Sequence, residues 1–587
     1  MGIASFKKEY EVVVGIDFGS SYSGFAYSFK NDIINHGIIP GANVDSKVPT
    51  EIILDDDKKT VSFGQSCTQY LKEKGLKTNH YFKGIKMHLY SKETNIKSIN
   101  SGKSFEIELV IQRVLEELKK YAIDNLKSQW NNIKEEDIKW VVTVPAIWEN
   151  YQKSIMMDAC YKAGLINNYT DKTLFFALEP EVASLYCSRS GEIKQEELEK
   201  NKYYIICDLG GGTGDIVTHS IGSNKHLEEL NPSCGGNYGS NEIDKKLFED
   251  LIFNLFGYKD CEAILKKYKE LNINEDEETI FGEWCELERQ IKDFKERANL
   301  EKVKNNGKFP IRFSIFKEIL DKNIYDIVNE YNKKCKNDDI KLKVKSQNLW
   351  IIELPYKIVY NYIKSQANLI YKTIKDIIDK NESKKIKINT IIFVGGYCSN
   401  EILMNFLKKN LENKISHFLR PSKPLLAVME GAVLFGIDPN IIDTRIAKFT
   451  IGMGTRKEWN EKLHSKSGVK VYDEIDKIWR CEDCFDKFIE IHQKLQLGET
   501  IIHSFKMCGP RFALLYFYES FHRDPIFVFD QGVKKIGECE LDAEENYPPG
   551  ERSFNVIMKF GGTFIDVKAK HKKSGKEAKT TLSFYNN

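Results

Sequence analysis

Two stretches of this 587-residue chain set glycines, hydroxyls and an aspartate at the end of an apolar run. Val12-Val13-Val14-Gly15-Ile16 leads into Asp17-Phe18-Gly19-Ser20-Ser21-Tyr22-Ser23-Gly24. Tyr203-Tyr204-Ile205-Ile206-Cys207 leads into Asp208-Leu209-Gly210-Gly211-Gly212-Thr213-Gly214-Asp215. Glycine removes the side chain at a turn, so several backbone N–H groups can converge on phosphate oxygens. Ser20, Ser21 and Thr213 add donors, and Asp17 and Asp208 offer carboxylates suited to Mg²⁺ or its bound waters. One such turn is weak evidence. Two of them, with aspartates at the same offset and 191 residues apart, point to a clamp closing on phosphate from both sides.

The elements that must hold these turns follow from hydrophobic period. Each turn joins two apolar strands, which predicts two hairpins on two similar lobes. Between them, Leu115, Leu118, Ala122 and Leu126 give helical spacing over Phe105 to Leu126, and Trp140 to Ala146 is a buried strand. A helix is expected over Tyr151 to Ala163, a strand over Thr173 to Leu178, and a helix opening at Pro180. After the second hairpin, Asn241 to Phe256, Glu278 to Leu300 and Pro355 to Asp379 read as helical. A strand over Thr390 to Val394 then meets Gly395-Gly396, and a helix covers Ala427 to Phe435. Strands alternating with helices predict parallel-rich α/β sheets. Beyond about Phe449 the period falls to two, as in Phe554, Val556, Met558 and Phe560, so a separate β-rich domain is expected there.

Hydrophobic residues make up 41% of the chain, enough for packed cores. Length alone suggests about four compact units at roughly 150 residues each. Lys and Arg number 87 against 85 Asp and Glu, a net charge of +2, which disfavours nucleic acid as the main partner. The 13 cysteines are mostly scattered, as suits a reducing compartment. No apolar stretch approaches the eighteen or so residues needed to span a bilayer, and the N-terminus lacks an apolar signal core. The expectation is a cytoplasmic protein with neither nucleic acid nor membrane as partner. Cys481 and Cys484 form a CxxC, but no second pair follows at zinc-ribbon spacing and the surroundings are not thioredoxin-like, so it reads as structural.

Gly15 to Ser23 and Asp208 to Thr213 resemble the two phosphate motifs of the actin-like ATPase superfamily, and within it the seventy-kilodalton heat-shock chaperone family. Val141 to Ala146, Glu179-Pro180-Glu181-Val182-Ala183 and Val394-Gly395-Gly396 resemble that family's further motifs, in its order. The resemblance implies an α/β fold: a duplicated actin-like (ribonuclease H-like) two-lobed ATPase domain, with lobes at 10–200 and 201–445, then a smaller β-rich domain at 446–587. It implies ATP or ADP with Mg²⁺ between the lobes. Gly19, Ser20, Ser21 and Tyr22 would hold phosphates from one side and Gly210, Gly211, Gly212 and Thr213 from the other. Asp17 and Asp208 would position hydrated Mg²⁺ and the attacking water, with Glu179 near the metal shell. Lys86, or Lys83 in another register, would lie beside the γ-phosphate. Gly235 and Gly236 fit a second-lobe loop, Glu288 and Lys292 the nucleoside helix, and Gly395, Gly396 and Tyr397 the adenosine motif.

The sequence also departs from the family. Gly395-Gly396 is followed by Tyr397, Cys398 and Ser399, where the family has Ser, a small residue and Arg, so a cationic contact to adenine is missing. This change, together with Ala427 to Gly436 and Met558-Lys559-Phe560-Gly561-Gly562-Thr563, resembles the divergent member-twelve branch of heat-shock protein family A. No long helical lid is expected after the β region. The resemblance implies an ATP-hydrolysing, chaperone-like switch with an unfolded or specific protein client and a nucleotide-exchange or co-chaperone partner. A nucleotide-gated interaction protein or scaffold with little turnover is the alternative; a small-molecule kinase or a filament former of the same superfamily is a more distant one.

Overall fold

Val12–Asp17 is buried along its whole length, as its continuous apolar run requires of a strand covered on both faces. In the computed structural model it lies between Ile138–Val144, to which it is parallel, and Tyr22–Phe29, to which it is antiparallel. The structure describes residues 10–582 apart from 30–32, 44–45, 74–78, 170–172, 192, 194–197, 199–202, 223–225, 258–277, 318–319, 321, 475, 507–511, 543–552 and 561–564. The motif residues Gly561, Gly562 and Thr563 lie outside the described residues.

The first sheet runs Leu174–Leu178, Ile138–Val144, Val12–Asp17, Tyr22–Phe29, Asn35–His36, with Lys47–Pro49 also on Tyr22–Phe29. The second repeats this order with His417–Leu419, Ile388–Val394, Tyr203–Leu209, Gly214–Ile221 and Leu227–Gly236. Tyr203–Leu209 is parallel to Ile388–Val394 and antiparallel to Gly214–Ile221. Asp17 opposite Gly24 and Asp208 opposite Asp215 therefore occupy equivalent ends of two equivalent hairpins.

Two apolar helices lie between the sheets. Glu179–Arg189 and Ala427–Ile437 are buried over most of their lengths and share one core with Val13, Val141, Ile206 and Ile392. Their approach is close: a Cβ on Gly431 would stand 1.9 Å from the Val182 carbonyl oxygen.

The chain after residue 446 forms two antiparallel sheets. One orders Lys470–Asp473, Ile478–Ile489, Thr450–Glu458, Phe512–Ser520 and Val533–Asp542; the other orders Thr500–Lys506, Ser553–Lys559, Ile565–His571 and Glu577–Leu582. Phe554, Val556 and Met558 alternate inward and share a core with Phe517 and Ile536. Lys494–Gln496 departs from both sheets and pairs with Ile442–Ile446, which in turn pairs with Leu227–Gly236. A strand from the C-terminal region thus extends the second α/β sheet.

Candidate functional site

The two hairpin turns meet at one cavity of about 460 Å³. Asp17 and Asp208, only 6% and 7% exposed, close its floor from the ends of their strands. The turns approach closely, and beside them Ser21 Oγ accepts the Asn241 Nδ2–H at 2.8 Å from the start of the helix Ser240–Phe256. Glycine is needed at this approach. A Cβ on Gly211 would lie 2.0 Å from Ser21 Oγ, and one on Gly212 would lie 2.4 Å from Ser20 Oγ. Ser240 and Asn241, opening the helix Ser240–Phe256, donate their N–H groups to the carbonyls of Gly210 and Gly211 at 3.2 and 2.7 Å, fixing the second turn.

The two lysines before the first lobe's long helix separate by local structure. Lys83 ends the strand His80–Lys83, Gly84 turns the chain with φ of 67°, and the helix Ile85–Tyr90 follows. Lys86 therefore points into the cavity, where Nζ donates to the Phe18 carbonyl at 2.8 Å and pairs with Glu179. Lys83 instead pairs with Glu288, and neither of these two residues lines the cavity. Glu179 is the first residue of Glu179–Arg189, with Pro180 just inside the helix start. Both suit a helix N-terminus, where a missing N–H is harmless and negative charge is favoured.

Four carboxylates crowd this floor: Asp17, Glu179, Asp208 and Asp215. Lys47 Nζ donates to Asp17 Oδ2 at 2.5 Å and to the Leu425 carbonyl at 2.7 Å, and Asp215 Oδ1 accepts from the Ile147 N–H at 3.0 Å. Burial raises Glu179 to about 7, despite Lys86, with Asp215 and Asp17 adding to the rise. Asp208 is raised well above the usual range by burial and by Glu179, Asp215 and Asp17, with Lys47 opposing. Burial also raises Asp215. Among the described residues, no side chain hydrogen-bonds to the Asp208 carboxylate.

At the other end, Lys292 Nζ lies 3.2 Å from Tyr22 OH, and Gly395, Gly396 and Tyr397 close the wall. Gly395 has φ of 83°, and a Cβ there would strike Leu209 O at 2.5 Å. Tyr397 is 5% exposed, and its OH has no hydrogen-bond partner among the described residues. Gly235 and Gly236 sit at the end of the strand Leu227–Gly236 opposite Asp215 and Gly214, outside the cavity lining. Their lack of side chains serves strand packing: a Cβ on Gly235 would be 2.1 Å from the Gly214 carbonyl oxygen.

The family model described as Hsp70 protein matches residues 68–280. The chain is 28% identical over 659 aligned positions to "Heat shock 70 kDa protein 12A" of Mus musculus, covering 99% of this chain and 93% of that protein. It is 26% identical to "Heat shock 70 kDa protein 12B" of Homo sapiens, covering 98% and 92% respectively. The similarity to these two heat-shock 70 kDa proteins spans nearly the whole chain. The chain also aligns at 22% identity with "Chaperone protein DnaK" of Thermosipho melanesiensis over 76% of this chain and 64% of that protein.

The sequence alone did not single out Lys47, Asp215 or Asn241 as site residues, though all three line the cavity. Asp215 carried a usable signal, standing at the end of the second glycine turn. Lys47 carried none, because its value comes from a strand that reaches Asp17 only through sheet pairing. Among the described residues, no helix is long and apolar enough to cross a membrane.

Proposed function

We propose that the chain binds Mg·ATP in this cavity, hydrolyses it, and uses the nucleotide state to control the β region at 446–587, with 10–200 and 201–445 acting as the two lobes. One observation carries the reading: Asp17 and Asp208, equivalent on two sheets, converge with both glycine turns, Lys86 and Glu179 on a single cavity.

The Asp208 carboxylate, buried beside Glu179, Asp215 and Asp17, and the excess of acids over lysines on the floor fit a hard divalent ion held through oxygen. Asp17 and Asp208 would hold it through its waters. Bound there, Mg²⁺ supplies neutralisation of phosphate and carboxylate charge. The backbone N–H groups of Ser20 to Tyr22 and Gly211 to Thr213 cradle the phosphates, while those of Gly19 and Gly210 close the turns on Ser23 Oγ and the Thr213 carbonyl, and the Ser20 and Thr213 hydroxyls add donors. Lys86 offsets charge on the transferred group, and ionised Asp208 accepts a hydrogen bond from water and aims it in line. Glu179 holds Lys86 in place. Lys292 and Tyr397 form the nucleoside end.

Chaperone-like action on an unfolded or specific protein client, with an exchange or co-chaperone partner, belongs to the same reading. The test is phosphate release with Mg·ATP. Asp208→Asn should abolish it while the parent turns over, and equal release from both would sink hydrolysis.

The Tyr397-Cys398-Ser399 departure favours a second reading, a nucleotide-gated interaction protein with little turnover. Tight ATP binding by calorimetry without phosphate release would select it. No nucleotide binding at all would remove both readings.

A further inference from the structure

The Cys481/Cys484 pair lies in the strand Ile478–Ile489, where residues three apart would normally point to opposite faces. Here they do not. Cys481 pairs with Lys457 and Cys484 with Thr455, so three steps on one strand match two on its neighbour. The extra residue is a bulge, and Asp483 takes it up with φ of 53°, a left-handed conformation unusual outside glycine. The bulge swings both sulfurs to one side, where Cys481 and Cys484 are 0% and 1% exposed.

A third donor arrives from outside the strand. His464 ends the short helix Glu461–His464 and is 4% exposed, and its Nε2 stands 3.9 Å from Cys484 Sγ. The three ligand atoms lie within 4.8 Å of one another. Their surroundings are built to fit. The His464 ring is flanked by Trp459 and Phe527, and Gly468 closes so tightly that a Cβ there would be 2.6 Å from Cys481 Sγ.

We infer that His464, Cys481 and Cys484 form a zinc site. Two thiolates and one imidazole are the donors of tetrahedral Zn²⁺, and the fourth position is left to water, since no fourth protein donor joins the cluster among the described residues. Binding releases both thiol protons. The His464 ring, whose Nδ1 now accepts from the Asn460 N–H at 3.0 Å, shifts its proton from Nε2 to Nδ1 as Nε2 takes the metal. The Nδ1–H and the Asn460 N–H are then both donors, so that hydrogen bond is lost and the ring turns away from Asn460, against a gain of two metal–thiolate bonds and one metal–imidazole bond. The site ties the helix Glu461–His464 to a bulged strand of the β region, far in sequence from the ATP cavity and independent of it.

The test is the zinc content of the full chain, purified from zinc-supplemented cells without chelators and measured by plasma mass spectrometry. One zinc per chain is expected, falling to background in Cys481→Ser/Cys484→Ser and in His464→Ala, and retained in His464→Cys. Exchange of the parent with Co²⁺ reads the same site without any substitution. It should give the visible bands of tetrahedral cobalt and a thiolate charge-transfer band. Trace zinc in the parent with no such cobalt bands would overturn the site, as would full zinc retention in the folded double-serine variant.

Discussion

Glu181 grips Arg445 with both carboxylate oxygens, at 2.9 and 2.6 Å, from a helix position only two residues beyond Glu179. One turn of Glu179–Arg189 therefore touches the cavity through Glu179 and the strand Ile442–Ile446 through Glu181. That strand carries Lys494–Gln496 from the β region. Replacing Arg445 by Met would leave Glu181, with a side chain only 3% exposed, as a buried charge without its main partner. The expected cost is about 3–5 kcal/mol by denaturant unfolding. Any ATP-induced change in proteolysis beyond residue 446 should be lost with it.

Glu229 sits beside this pair and gives it a pH signature. Burial, with help from Glu181, raises it from 4.5 to about 7, against the Ile446 N–H, Lys448 and Arg445. A folded pKa above the unfolded one means the protonated form stabilises fully below pH 4.5 and that contribution is lost as pH rises through 7. Glu229→Gln stays neutral throughout. Its stability relative to the parent should climb between those two values and then level, by at most about 3 kcal/mol. A difference that is flat with pH would contradict the assignment.

Lys86 and Lys83 should behave differently. Lys86→Ala strands buried Glu179 and is expected to cost about 3 kcal/mol, with a loss of at least about 100-fold in phosphate release. Adding Glu179→Gln should recover stability but not turnover. Lys83→Ala breaks an ion pair whose side chains are 36% and 31% exposed, so stability should move by less than about 1 kcal/mol and turnover should stay near the parent rate. Single-turnover kinetics and unfolding curves on the same samples separate these outcomes.

Tyr397→Phe removes a buried hydroxyl that has no partner among the described residues. Stability should hold or rise slightly, because no hydrogen bond is lost on the protein side. If the hydroxyl meets the nucleoside, ATP affinity should fall by about 2- to 10-fold in calorimetry. Unchanged affinity would make Tyr397 a packing residue only.

Gly431→Ala tests the crossing between the two central helices. The new methyl would sit 1.9 Å from the Val182 carbonyl oxygen and 2.5 Å from its carbon, both backbone atoms that cannot rotate away. The helices must separate, at a cost of about 1–3 kcal/mol. A melting temperature equal to the parent's would show that the crossing is looser than its geometry implies.

The sequence by itself determined the two turns, their aspartates and the strands before them, because glycine, hydroxyl and apolar patterning act over a few neighbouring residues. It also made Glu179-Pro180 readable as a helix start, since capping is local. Tertiary structure alone decided which side chains share an environment. Lys86 rather than Lys83 enters the cavity because Gly84 separates a strand from a helix, and Lys47 reaches Asp17 only once Lys47–Pro49 pairs with Tyr22–Phe29. Glu288 meets Lys83 across 205 residues of chain. His464 joins Cys481 and Cys484 only because a bulge turns both sulfurs toward a helix outside their strand. Such meetings depend on register, bulges and the packing of distant segments, which residue spacing along the chain does not encode.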